Sequence, residues 1–165
     1  MSMTQQLVLF EEDHRRILEV AERLTVDANA KAIFLVDKNG QLVAEAGELK
    51  GIDTTSLASL VAGNIAASGG LAKLIGEDEF PVHFHQGERD SVHVTLVAQR
   101  IILVVIFDER SSLGLVRLRV KKAGNKLSEI FDKVFKRVES GLGDEGLGSP
   151  FAEISDDEID NLFSD

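Results

Sequence analysis

The apolar positions of this chain change period along its length, and each change marks an element. Phe10, His14, Ile17, Ala21, Leu24 and Ala28 recur at steps of four, three, four, three and four, one face of an amphipathic helix. Glu11, Glu12 and Asp13 fall in its first turns, where the helix dipole favours acids. His14 on that face reads as a half-buried packing residue. Ala32–Asp37 is a nearly continuous apolar run, followed by Lys38-Asn39-Gly40 and then Gln41–Ala46. Asn-Gly between such runs signals a hairpin, because both residues tolerate positive φ. From Phe80-Pro81 a second β region begins: Val82 and Phe84 alternate with His83 and His85. A turn at Gly87–Asp90 leads to Ser91–Ala98, and Gln99-Arg100 turns into Ile101–Phe107. The runs AIFLV and IILVVIF lack polar alternation, so they read as central strands of a sheet covered by helices on both faces. A last long helix begins near Ser112, with an inner stripe of Leu113, Val116, Val120, Leu127, Phe131, Val134 and Val138.

The stretch Asp53–Gly76 is the unusual one. Asp53 is placed to cap a helix. On a helical wheel Leu57, Leu60, Val61, Ile65, Leu71, Leu74 and Ile75 share one side, which reads as core. The far side carries Ala58, Ser59, Ala62, Gly63, Ala66, Gly69, Gly70 and Lys73. A solvated helix face normally carries Glu, Lys and Arg. Three helical glycines cost about 1 kcal/mol each relative to Ala. Close approach of another surface is the usual compensation. Burial on both sides within one domain is the plainer account; a subunit or partner interface is the one we favour.

Charge divides the chain. Of its 165 residues, 28 are acidic and 18 basic, but residues 140–165 hold eight acids and no base. A nearly neutral body, 1–139, therefore carries a Gly-rich acidic linker, 140–149, and an acidic C-terminal motif, 150–165. In that motif Ser155-Asp-Asp-Glu158 is a capping box, with Ile154 and Ile159 where a hydrophobic staple would sit. Phe151, Ile159, Leu162 and Phe163 supply apolar contacts. A segment this short is no stable helix alone, and reads as a linear motif that folds on a partner. The outer side of the last helix is basic (Arg117, Arg119, Lys121, Lys122, Lys126, Lys133, Lys136, Arg137), and a solvated face is the simplest account of it. The acidic motif folding back on that helix is the rival to docking on a partner.

No catalytic constellation emerges. Gly141-Leu-Gly143-Asp-Glu-Gly146 matches a phosphate-loop spacing but follows a helix and contains two acids. His83 and His85 share a strand face, with His93 and Glu88 near in sequence, yet no full ligand set can be argued. Exposed polar alternation is the better reading, so no metal and no cofactor are expected. The chain has no Cys, which points to a reducing, cytoplasmic setting. No signal peptide, membrane span or general nucleic-acid function is expected.

The element order, with FLVDKNGQL, DTTSLASL, GLAKLIGE, EFP, LVVIFD, SLGLVRLR and the tail SPFAEISDDEIDNLF, resembles the Roadblock/dynein light chain family, specifically its bacterial branch that regulates a polarity GTPase. The resemblance implies an α+β fold, helix-strand-strand-helix-strand-strand-strand-helix, with a five-stranded antiparallel sheet in the order 2-1-5-4-3 and helices on both faces. It implies a cytoplasmic homodimer, able to concentrate at a cell pole, joined through the central helix and third strand at Ser59, Ala66, Val82 and Phe84. The paired helices would form a platform for one GTP-bound Ras-like GTPase, with two activator chains to one GTPase. On the platform Ala66 and Gly70 match, within Ala58, Ala62, Gly63, Ala66, Gly69, Gly70 and Lys73. Hydrolysis would be stimulated without an arginine finger and without an active site in this chain. The tail, through Phe151, Ile154, Ile159, Leu162 and Phe163, would dock on the GTPase and aid nucleotide exchange. The alternative is a non-catalytic scaffold of the same fold; a metal-dependent hydrolase built on the histidines is a distant third.

Overall fold

The structure, a computed structural model, describes residues 9–140. The linker and acidic motif expected at 140–165 lie almost wholly outside the described residues. The elements run α1 (Glu11–Asp27), β1 (Ala32–Asp37), β2 (Leu42–Gly47), α2 (Thr54–Leu74), β3 (Val82–Gln86), β4 (Ser91–Ala98), β5 (Ile101–Phe107) and α3 (Leu113–Ser140). The five strands form one sheet in the order β2-β1-β5-β4-β3, and every neighbouring pair is antiparallel.

The two uninterrupted apolar runs are β1 and β5, paired from Ala32↔Ile106 to Asp37↔Ile101 at the middle of the sheet. Both are buried along their whole length. Side chains alternate between faces along a strand. Ile33, Leu35, Leu103, Val105 and Phe107 therefore meet α1 and α3 through Ile17, Leu24, Val116, Leu127 and Phe131. Phe34, Val36, Val94, Ile102 and Val104 meet Ala58 and Ile65 of α2 on the other face.

The turn between β1 and β2 differs in detail from the two-residue hairpin expected of Asn-Gly. Only Gly40 takes positive φ, +91°. Gly40 N–H donates to Asp37 O at 2.8 Å, and Asn39 N–H donates to the Asp37 carboxylate at 2.7 Å. The Asp37 side chain thus supplies the turn that a left-handed Asn39 would have made. His14 is exposed, not half-buried: the core face of α1 is carried by Ile17, Ala21 and Leu24, and the stripe frays at its first turn. Ser112 Oγ accepts from Leu115 N–H at 3.2 Å, which sets the start of α3.

Candidate partner-docking surface

Asp53 opens α2 as expected. Its carboxylate accepts from Ser56 N–H at 3.1 Å and Ser56 Oγ–H at 2.7 Å, and these bonds hold its pKa below the usual carboxylate value. From there the helix crosses the sheet, rotated from the wheel: Ile65 is buried and Leu57 and Val61 pack on the core as expected, but small residues from the other side join them. Ala58 (1% exposed), Ala62 (9%), Ile65 and Ala72 are its buried residues, at steps of four, three and seven. Leu60 (73%), Leu71 (56%), Leu74 (84%) and Ile75 (66%), expected in the core, face outward. The reason is distance: methyl side chains let the helix axis settle close to the sheet, where a row of leucines would hold it off. Ala58 and Ala62 are thus inside the protomer, out of reach of a rigidly docked partner.

The remaining small residues do face out. Ser59, Gly63, Ala66, Gly70 and Lys73 are exposed, and Gly69 is half-buried. A methyl group added at Gly63, Gly69 or Gly70 would meet nothing within 4 Å. No packing inside the protomer asks for these glycines, so their helical cost of about 1 kcal/mol each has no compensation within the described residues. The outer side of α2 is a small-residue flank, Ser59-Gly63-Ala66-Gly70, beside a ridge of Leu60, Leu71 and Leu74. By length and composition alone α2 is long and apolar enough to cross a membrane, and most of it is not buried. The helix is laid across a sheet and joined to it, so a protein surface accounts for this apolarity better than a lipid one.

On its β3 side, α2 leaves an open groove of about 550 Å³, lined by Leu57, Leu60, Val61, Val92 and Val94, with Asp53, Asn64 and His85 at its margin. Beyond the groove, β3 is an edge strand that among the described residues pairs only with β4 and is exposed at four of its five residues. Val82 and Phe84 are exposed apolar residues on it, without the Lys or internal Pro that usually protect an edge. Phe84 stacks on Phe107 with centroids 6.1 Å apart, so Val82 and Phe84 lie on the α1/α3 face. The structure does not gather the four residues expected at the dimer interface. Ser59 lies beside Gly40 of the β1–β2 turn, while Val82 and Phe84 sit at the opposite edge and on the other face.

The histidines are also separated. His83 and His85 are on the α2 face, and His83 Nε2 is 2.9 Å from Phe80 O. His93 is buried on the α3 face, with Nδ1 3.0 Å from Thr95 Oγ1 and Nε2 without a hydrogen-bond partner among the described residues. Desolvation, then the nearby Arg117, lowers its pKa. Among the described residues no group of three or more His, Cys, Asp or Glu is arranged to hold a metal ion.

Sequence reasoning passed over a charged cluster where β1 and β4 begin and β2 and β5 end. Arg110 Nε donates to Asp108 at 3.0 Å, and its terminal nitrogens reach Glu48 at 3.4 Å. Hydrogen bonding to Asp108 raises the Arg110 pKa further and lowers that of Asp108. Lys31 Nζ pairs with Asp90 at 3.0 Å, which raises its pKa. Their separation in sequence, with Lys31 59 positions from Asp90 and Arg110 62 from Glu48, hid the cluster.

A profile of the Roadblock/LC7 domain matches residues 16–107. Among solved structures, Myxococcus xanthus MglB is 62% identical, with a TM-score of 0.74 over 78% of this chain and 96% of that one. A Thermus thermophilus protein described as gliding protein MglB is 37% identical, with a TM-score of 0.74 over 78% of this chain and 97% of that one. A structure described as MglB with a tetrameric arrangement is 36% identical with the same TM-score, covering 78% of this chain and 97% of that one. No curated protein sequence matches.

Proposed function

This chain belongs to the Roadblock/LC7 domain family, and from that premise we propose that it is an MglB-type regulator of a Ras-like, MglA-type small GTPase in gliding motility or cell polarity. It works as a homodimer whose paired α2 helices receive one GTP-bound GTPase and stimulate its hydrolysis. The observation that carries this reading is the outer side of α2: an apolar ridge and a glycine flank that the described residues leave uncovered. Such a surface suits backbone-close contact with two neighbours, a second copy and a partner.

The chain acts by holding and reshaping the GTPase. Arg110, exposed just past the end of β5, is already engaged by Asp108 and Glu48. Extending it into another protein would break those contacts, which favours a mechanism in which the GTPase supplies its own catalytic groups. The acidic motif 150–165 adds a tethered second contact on the GTPase and aids nucleotide exchange, and the complex gathers at a cell pole. A single-turnover GTP hydrolysis assay tests the function. Acceleration by this protein is expected, lost in Gly70→Arg with the fold intact. Binding without acceleration would make the protein a scaffold and overturn the activator reading.

A further inference from the structure

We propose that the groove between α1 and α3, on the sheet face opposite α2, is a seat for the acidic C-terminal segment of the same chain, residues 150–165, which alternates between this groove and the GTPase. The groove encloses about 200 Å³ over a floor of Val20, Leu24 and Ala123. Arg23, Arg119, Lys122 and Lys126 stand around it, against Glu19 and Asp27. That is a local excess of two positive charges on a body whose balance is negative. Asp27 is partly engaged with Arg23 at 3.5 Å. Arg119 lines the groove too, and its Nε is buried without a hydrogen-bond partner among the described residues.

Two exposed apolar side chains stand on the same helices as the groove. Leu118 is exposed one turn before Lys122 on the same side of α3, and Val26 is exposed beside Asp27 on α1. A ligand suited to this surface is acidic, amphipathic and narrow. Residues 150–165 carry six acids and no base, and at helical spacing Ile159, Leu162 and Phe163 share one edge.

Reach permits the placement. Lys126 lies 14 residues before Ser140 on the same helix, about 21 Å away at 1.5 Å per residue. The ten-residue linker spans about 17 Å as a flexible coil and about 33 Å when extended. A segment leaving Ser140 and doubling back along α3 therefore reaches the groove without strain. Tethering on so short a linker gives an effective concentration of order millimolar, so weak contacts suffice. The groove and α2 are on opposite faces of the sheet, so the seat exists whether or not the GTPase reading holds.

The absence of Cys makes the test direct. Asn161→Cys carries a nitroxide on the polar side of the motif, and amide broadening is recorded on the isolated full-length protein without GTPase. The expected result is broadening of residues 19–27 and 119–126 at least severalfold beyond that of α2, relieved by about 0.5 M salt and lost in Lys122→Glu/Lys126→Glu. No preferential broadening of the groove would overturn the proposal. So would broadening that persists when nitroxide and isotope are on different chains, because the segment would then occupy a neighbour's groove. A bound MglA-type GTPase, loaded with a non-hydrolysable GTP analogue, is expected to remove the broadening; unchanged broadening at saturation would overturn the alternation.

Discussion

His93 is an imidazole folded into an apolar layer with one nitrogen unpaired, and this makes it a pH-dependent weak point. Its folded pKa is lowered, so the unfolded chain binds a proton that the folded chain resists. Above the unfolded value of about 6.5 both states are neutral at this site and it contributes no pH dependence. As pH falls through and below that value, stability is lost. Denaturant midpoints at pH 7.5 and 5.5 should show the loss, and His93→Gln should flatten the difference. A flat wild-type profile would contradict the burial. Arg110 poses a different question at the same scale. Held by Asp108 and Glu48, it should not act as a finger. Fingers are worth about 10³–10⁵ in rate. Under the proposed function, Arg110→Ala should therefore cost less than about tenfold in maximal stimulation, measured at saturating protein. Gly47 shows what a glycine required by the protomer looks like. Its φ is +93°, and an added Cβ would stand 2.5 Å from Lys31 O. Gly47→Ala should destabilise by more than about 2 kcal/mol in urea unfolding, from left-handed strain and backbone overlap together.

The glycines of α2 should behave in the opposite way, and the contrast is a prediction for the element. Gly63 and Gly70 are helical, and their Cβ positions are open. Gly63→Ala or Gly70→Ala should raise protomer stability by about 0.5–1 kcal/mol, the helix-propensity gain. If another chain approaches there, the same changes should weaken assembly or GTPase stimulation; a gain in stability with both unaffected would remove the reason for the glycines. Ala66→Arg and Gly70→Arg should abolish stimulation outright with circular dichroism unchanged. The direction of α2 is also where sequence reasoning failed. β1 and β5 were legible because a strand with no polar alternation has one home, the middle of a covered sheet. α1 and α3 were legible because charge marks their outer sides. α2 is apolar or small nearly all round, so periodicity gave two stripes and no sign. The assumption that larger residues point inward held for Leu57, Val61 and Ile65 and failed for Leu60, Leu71, Leu74 and Ile75, whereas close helix–sheet packing brings Ala58, Ala62 and Ala72 inward. Val82 and Phe84 could be paired from alternation, but their place on the face opposite α2 follows from the β3–β4 register, which sets Phe84 against His93 and Val82 against Thr95.

For the whole molecule, the uncovered surfaces converge. The outer ridge of α2, the groove beside it and the edge strand β3 are contiguous from Leu74 and Leu60 to His85. A lone protomer would leave this apolar tract in water beside a free strand edge, conditions that favour a two-fold pairing in which both copies use the same patch. β3 can extend the sheet across the axis, α2 can meet its copy on one face, and Val82 with Phe84 can meet theirs on the other. Light scattering at micromolar concentration should therefore give at least a dimeric mass. The test with most power is Leu71→Lys combined with Leu74→Lys. Both residues are exposed in the protomer, so its unfolding curve should scarcely change. Each Leu buried at an interface is worth about 1.5–3 kcal/mol, so losing both should weaken association by about 10²–10⁴-fold and bring the monomer into the micromolar range. If the double variant keeps the wild-type mass throughout that range, the ridge is not the assembly surface. The apolar contacts of β3, tested separately by Phe84→Glu, would then have to hold the copies together, leaving the whole outer side of α2 for the GTPase.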